Sequence, residues 1–487
     1  MDNRIKLNKL TMCQIICIIV SVPIFIYGKI NIQFNTQLVA IMLVWLSNLL
    51  FSINKFRERT VFFFFNITIF VFLLSNPFIT MFRTWGWWVW GNESAEFTMN
   101  VMYMTLISLV IGANIANYLI NKFYVSKLVI PKNLRYRKVL VYVSGLAYLL
   151  SFSMNILTEL EKLKFVKGTN YESFYSSFNS ELPFFVRLIS SMNPYLLCIF
   201  LACMPKKIYG YIALSLSIIG SIPLLLMGQR GPFMLKVLFA LIYFIIRDYL
   251  EDEKKWIGRI EKVLIIVSAP SVIILMGAYN YIRAQTNLET KGFVSLIVDF
   301  FYKQGTTFDT LGFGYNMLPK LPFVEIKNYT FGGFIDFFKY SIIGKIFFNG
   351  TTIPTNNSPE QGMMTNSMAH NLAYVYRKNE YLNGNGNGSS YLLELFADYN
   401  YLGVIIGSIL LGIILVYLVF LMKRNNAFLS SLILISISNI FFVPRSEATG
   451  WIQFIIKPRF ILSMGICFIG AYLISKILRK CYSGGKL

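Results

Sequence analysis

Six side chains in this 487-residue sequence have the type and setting to grip an anionic substrate and to move a proton. Arg230 lies in Gly228–Gln229–Arg230–Gly231–Pro232, where flanking glycines let the backbone approach a ligand closely. Arg283, Arg377 and Arg445 stand near the ends of apolar runs, Arg445 directly after Pro444. A planar guanidinium meets phosphate oxygens in bidentate fashion, and the low dielectric of a lipid boundary strengthens each such bond. The competing role for arginines so placed is snorkelling to lipid headgroups, which suits Arg187 and Arg459 as well. The proton-handling candidates are His370, the sole histidine, and Glu394. An imidazole accepts a hydroxyl proton near neutral pH, although a lone histidine more often serves as a structural hydrogen-bonder. Glu394 is the rival base. Its plainer role is an acid in the first turn of a helix, favoured by the macrodipole and capped by Ser389 or Ser390. Asp398 lies one turn further on the same face.

No other catalytic pattern competes. There is no nucleophilic serine motif, Walker loop, dinucleotide glycine fingerprint or zinc-helix motif. The six cysteines lie in apolar runs, at their ends or in the tail, without loop-borne ligand spacing, so neither a disulfide framework nor a metal site is expected, and no cofactor is called for. The run Gly384–Gly388 follows no strand and reads as a hinge rather than a phosphate loop.

The elements that must carry these groups are membrane helices. The chain is 56% hydrophobic and 14% charged, with a mean hydropathy of +0.58. Apolar runs of about 20 residues recur along it, each long enough to span a bilayer. The first, about Leu10 to Tyr27, follows a basic tail and lacks a small-residue cleavage site, so it reads as a retained span. Hydropathy places crossings near 10–28, 36–53, 61–82, 97–120, 139–157, 184–204, 208–227, 232–249, 263–282, 391–421, 427–443 and 452–475, about twelve in all.

The net charge of +22 is distributed in alternate connections, among them Lys55–Arg59, Lys132–Lys138, Lys206–Lys207, Lys254–Lys262 and Lys423–Arg424, and in the basic tail. That alternation is the positive-inside pattern and puts both termini in the cytoplasm. It also removes the case for nucleic acid as a partner. The expected organisation is helices one to nine over 1–282, a large extracytoplasmic loop over 283–390, and the last three helices with a cytoplasmic tail over 391–487. Within the loop, Phe293–Phe301 and Phe331–Phe348 are rich in aromatics with apolar positions at helical spacing, a pattern that suits helices lying along a membrane surface over a cavity and equally suits ordinary packing between loop segments. Trp85–Trp90 reads as an interfacial aromatic belt more readily than as a sugar platform.

Three stretches carry a resemblance. Gly384–Gly407 (GNGNGSSYLLELFADYNYLGVIIG) resembles a signature of the Wzy-type oligosaccharide repeat-unit polymerases of O-antigen and capsule assembly. Gly228–Leu238 (GQRGPFMLKVL) is similar to another recurring element of that family, and Ala369–Asn371 (AHN) to a motif shared with the related O-antigen ligases. The resemblance implies an all-α, GT-C-like polytopic enzyme of the bacterial cytoplasmic (inner) membrane. It also implies glycosyl transfer on the outer face between two undecaprenyl-diphosphate-linked glycans, donor and acceptor, with no nucleotide sugar. The arginines would hold the departing diphosphate and stabilise its developing charge. His370, matching the ligases' loop histidine, or Glu394 would take the acceptor's proton. His370 is followed by more than a dozen residues before the next span, unlike its counterpart, which keeps Glu394 in contention. A flippase and a chain-length regulator are the protein partners the family implies. A ligase would share the chemistry with a different acceptor. A flippase or transporter would place charge in mid-span, where this sequence has little.

Overall fold

Within a bilayer an apolar run satisfies its own backbone only as a helix or in a closed barrel. The computed structural model describes residues 9–82, 90–122, 134–169, 171–251, 256–284, 292–321, 327–354 and 356–484, and among them every regular element is helical. The chain opens with α1 (Lys9–Ile30), α2 (Phe34–Asn54), α3 (Thr60–Thr80), α4 (Asn92–Lys122) and α5 (Leu134–Gly168). It continues through α6 (Phe184–Ala202), α7 (Lys207–Leu226), α8 (Arg230–Leu250) and α9 (Arg259–Ala284). Short helices follow: α10 (Phe293–Gln304), α11 (Thr307–Met317), α12 (Gly332–Tyr340), α13 (Ile342–Phe348), α14 (Pro359–Met364), α15 (Met368–Tyr376) and α16 (Lys378–Leu382). The chain ends with α17 (Tyr391–Met422), α18 (Ala427–Ile440) and α19 (Pro458–Gly484).

Nine helices among the described residues are long and apolar enough to cross a membrane: α1 to α7, α17 and α19. The other three expected crossings are also helical, but they are not of that class. Helix α8 carries Arg230, Lys236, Arg247 and Asp248. Helix α18 has 14 residues, which at about 1.5 Å per residue falls short of a hydrocarbon core about 30 Å thick. Several side chains of α9, Arg283 included, lie outside the described residues, as do Arg83 and all of the Trp85–Trp90 cluster except Trp90.

The centre of the bundle is the pair α4 and α17, which cross backbone to backbone. Two glycines permit it. A Cβ on Gly112 would overlap the Ile409 carbonyl, and one on Gly412 would overlap the Leu109 carbonyl. A second pair, α5 and α6, packs with α18 and α19, and α2 bridges α1 to α4. Asn48 is fully buried where α2, α3 and α4 meet, donating to Asn66 Oδ1 at 3.1 Å and to the Leu106 carbonyl at 3.2 Å.

The basic ends of the helices do more than sit in solvent. Arg59 is buried, its guanidinium 3.7 Å over the Phe51 ring, with Nη2 donating to Asn117 Oδ1 at 2.9 Å. Arg247 is buried beside Trp256, donating to Tyr243 Oη at 2.7 Å and to the Pro205 carbonyl at 3.2 Å, and it pairs with Glu251. Part of the charge read as a topology signal therefore also clamps connections together.

At the opposite end, α3 contains a π-helical turn, Phe70–Leu74. Such turns widen a helix locally and are frequent near functional sites. Here Ser75, just past it, donates to the Phe301 carbonyl at 2.7 Å and so docks α10. Helix α17 is likewise broken, at Asn400 with φ 58° and ψ −158°, far from helical geometry. The break separates a polar head bearing Glu394 and Asp398 from the apolar shaft. Helices α12 and α13 turn Phe338, Ile342, Ile346 and Phe347 outward, as expected of helices lying on a membrane surface.

Candidate functional site

Arg230 is the first residue of α8, and Gly228 ahead of it has φ +107°, a conformation that favours glycine. The turn is pinned by Gln229, which donates to Tyr175 Oη at 2.9 Å, while Arg230 Nη1 donates to the Met276 carbonyl at 3.4 Å. Arg445 closes a 3-10 turn, Val443–Arg445, anchored where Ser390 Oγ donates to the Pro444 carbonyl at 3.0 Å. Its guanidinium lies 5.9 Å from the Phe72 ring and donates to Gln304 Oε1 at 3.4 Å. These contacts bring Arg230 and Arg445 to one cavity of about 520 Å³, within the range of small-molecule sites.

That cavity is mostly apolar. Val71 and Phe72 of the π-turn, Leu235 and Leu238 of α8, and Phe300 and Phe301 of α10 form its walls. Its charged groups are Arg230, Arg445 and Lys303, and among the described lining residues there is no carboxylate. Lys303 comes from the last turn of α10. The sequence pattern marked that helix as amphipathic but did not mark Lys303 as a ligand group.

A second cavity, about 470 Å³, lies on the other side of Arg445, which lines both. Its lining is largely polar: Asn76, Thr80, Thr306, Asp309, Thr310, Arg377 and Asn387 among others. Gly386 and Asn387 of the glycine run contribute to it, so that segment forms a wall rather than only a hinge. Trp90, Phe313 and Tyr376 form an aromatic face, with Phe313 stacked on Tyr376 at 4.7 Å and Trp90 edge-on to Tyr376 at 5.7 Å. Trp90 therefore stands in a cavity wall and not only in an interfacial belt. Arg377 is half exposed and pairs with Glu380 at 3.1 Å.

The two proton-handling candidates are placed differently. Glu394 is fully buried, its Oε1 accepting from Ser389 Oγ at 3.0 Å and its Oε2 from the Ala448 amide at 2.8 Å. Asp398, a turn later, accepts from the Tyr329 and Thr330 amides and from the Thr330 hydroxyl. Thr449 Oγ1 then donates to the Thr330 carbonyl at 2.6 Å, closing a knot between the head of α17 and two loops. Asp336 holds Asn366 in the same manner, and burial pushes its carboxyl up against the opposing pull of those amide donors.

His370 is held on both nitrogens. Gln361 Oε1 accepts from the Asn357 amide at 3.1 Å, which orients the carboxamide so that its Nε2 donates to His370 Nε2 at 3.1 Å. His370 Nδ1 is then the protonated nitrogen and donates to Tyr381 Oη at 3.0 Å. Burial lowers the pKa of the ring, favouring this neutral tautomer. Its neighbour Asn371 donates to the Gly362 and Thr365 carbonyls, so the Ala369–Asn371 motif ties α14 to α15. Neither Glu394 nor His370 lines either cavity.

Arg230, Arg445, Glu394 and His370 all belong to the same end of the bundle, where α3 and α18 finish and α8 and α17 begin. An apolar slot edged by three cations next to a polar, aromatic-walled cavity suits an amphiphile with an anionic junction and a sugar head. No curated protein and no solved structure matches the chain. The family model described as O-antigen polysaccharide polymerase Wzy matches residues 13–477, which includes both cavities and nearly all of the sequence. The chain belongs to the Wzy family of O-antigen polysaccharide polymerases.

Proposed function

We propose that this protein joins undecaprenyl-diphosphate-linked repeat units into O-antigen or capsular polysaccharide at the outer face of the bacterial cytoplasmic membrane, with both termini in the cytoplasm. The observation that carries this reading is the convergence of Arg230, Lys303 and Arg445 on one apolar cavity without a carboxylate in its described lining. Such a site binds a lipid tail along its walls and a diphosphate at its cations. Arginine and lysine donors aimed at the leaving oxygen stabilise the charge that develops there as the glycosidic bond to phosphate breaks. Arg377 serves the neighbouring cavity, and Arg283, whose side chain lies outside the described residues, is the fourth candidate for the diphosphate. Glu394 and His370 act as positioning residues. Glu394 fixes the loop after Arg445, and His370 fixes the α14–α16 segment behind Arg377. A flippase that delivers the lipid-linked units and a chain-length regulator are the partners this activity calls for.

The test is the surface glycan of cells in which the gene is deleted and then complemented. Deletion collapses the ladder to a single repeat unit. Complementation with Arg230→Ala or Arg445→Ala leaves it collapsed at normal protein level. A full-length ladder from Arg230→Ala removes the diphosphate clamp, and loss of every linked glycan on deletion points to a ligase or flippase instead.

A further inference from the structure

We infer that the polar cavity beyond Arg445 seats the acceptor sugar and that Asp309 takes the proton from its attacking hydroxyl. This rests on the polymerase reading above and assigns the half of the reaction that the cation-lined cavity leaves open. Asp309 lies in the first turn of α11 and is the only carboxylate among the described residues lining that cavity. Among the described residues it has no hydrogen-bond or ion-pair partner, whereas Glu394 and His370 are each hydrogen-bonded through both polar side-chain atoms. Asn387, also in the lining, has a buried side-chain nitrogen without a hydrogen-bond partner among the described residues. A buried donor left unmatched costs free energy, so the Asn387 nitrogen marks where a ligand supplies a missing bond, and the partly buried Asp309 carboxylate is left open to one.

A sugar suits both groups, since its hydroxyls can donate to a carboxylate and accept from a carboxamide N–H. The Trp90, Phe313 and Tyr376 face supplies the apolar surface that a pyranose ring covers. Burial pushes the Asp309 carboxyl up to about 6. It is then ionised at neutral pH yet more basic than an ordinary aspartate, as a general base near its working pH should be. The other titratable or charged groups facing the cavity are Tyr302 from α10, Tyr376 and Arg377 at the end of α15, and Arg445 from the 3-10 turn.

In the step, the acceptor O–H proton passes to an Asp309 oxygen and the hydroxyl oxygen forms a bond to the donor's anomeric carbon. The bond from that carbon to the phosphate oxygen breaks, and its electron pair leaves on the diphosphate, held by Arg230, Lys303 and Arg445. The proton on Asp309 returns to solvent or to the departing diphosphate. Arg445, which lines both cavities, stands at the junction where the two substrates meet.

The experiment uses the purified full chain in lipid nanodiscs, with lipid-diphosphate-linked repeat units as the probe, following chain elongation across pH. Asp309→Asn is expected to lower kcat by about 10²–10⁴-fold while KM for the lipid-linked unit stays within about threefold. Wild-type kcat should fall about tenfold per pH unit below about 6, and the residual rate of Asp309→Asn should be flat there. Asp309→Glu, which keeps a carboxylate, should recover part of the rate with a displaced acid limb, and it carries the test if Asp309→Asn does not accumulate. An Asp309→Asn kcat within about threefold of wild type, an unmoved acid limb, or a change confined to KM overturns the assignment. Failure of the wild-type chain to elongate would instead bring down the polymerase reading and this inference with it.

Discussion

Replacing Glu394 separates a positioning role from a catalytic one. Its two oxygens accept from Ser389 Oγ at 3.0 Å and from the Ala448 amide at 2.8 Å, and Glu394 and Ser389 are both buried. In Glu394→Ala the Ala448 amide loses its acceptor, at a cost of about 1–3 kcal/mol for a stranded donor. A cavity left by the missing side chain adds to that, because a packed site collapses only in part. The loop that carries Arg445 should loosen with it, so the glycan ladder shortens and the melting temperature of the purified protein falls. In domains of 150–250 residues each kcal/mol moves Tm by about 2–4 °C, and the shift here should be smaller because the chain is longer.

Glu394→Gln is the informative partner. Its carboxamide oxygen can still accept from Ala448, and its NH₂ can donate to Ser389, whose hydroxyl rotates to accept. Polymer length and elongation rate should therefore stay within a few-fold of wild type. A carboxylate acting as general base would instead lose about 10²–10⁴-fold on the same change. Loss of elongation in Glu394→Gln at an unchanged Tm would refute the positioning argument and restore Glu394 as the base.

Two further outcomes follow from packing and protonation. Gly412→Leu places a side chain against the Leu109 carbonyl at the α4–α17 crossing and should destabilise by about 1–3 kcal/mol or more, read as lower yield and lower Tm, whereas Gly465, which has open space around it, should accept alanine freely. His370 has a folded-state pKa below its ordinary value of about 6.5. The unfolded chain therefore binds the extra proton first, and the stability this residue contributes is complete above about pH 6.5 and lost as pH falls below it. A thermal-shift series should show less acid destabilisation in His370→Gln than in wild type, and an unchanged slope would contradict the buried neutral tautomer.

Much of the architecture is legible in the sequence. Runs such as 10–28 and 391–421 announce helices because bilayer thickness and backbone satisfaction act on each segment separately. The count was less secure. Helix α8 reads as apolar by its overall run but carries Arg230, Lys236, Arg247 and Asp248, and α18 is too short to cross unaided. Of the candidate site, Arg230 was legible because its glycine-flanked turn is a local feature, and Arg445 because it follows a proline at a helix end. Type and position mark Glu394 and His370 as candidate proton acceptors, and neither criterion reports the hydrogen bonds that the folded chain gives them.

Class, helical character and the alternation of basic connections follow from composition and order along the chain, since each depends on neighbours a few residues away. The site depends on neighbours far away. Arg230, Lys303 and Arg445 come from three separate segments, and they meet only because the π-turn of α3 docks α10 and the head of α17 anchors the loop behind Arg445. Asp309 had no distinguishing pattern at all. Its significance is that, among the described residues, packing leaves it without a hydrogen-bond or ion-pair partner at the wall of a polar cavity, a property of the assembled surfaces that residue spacing does not encode.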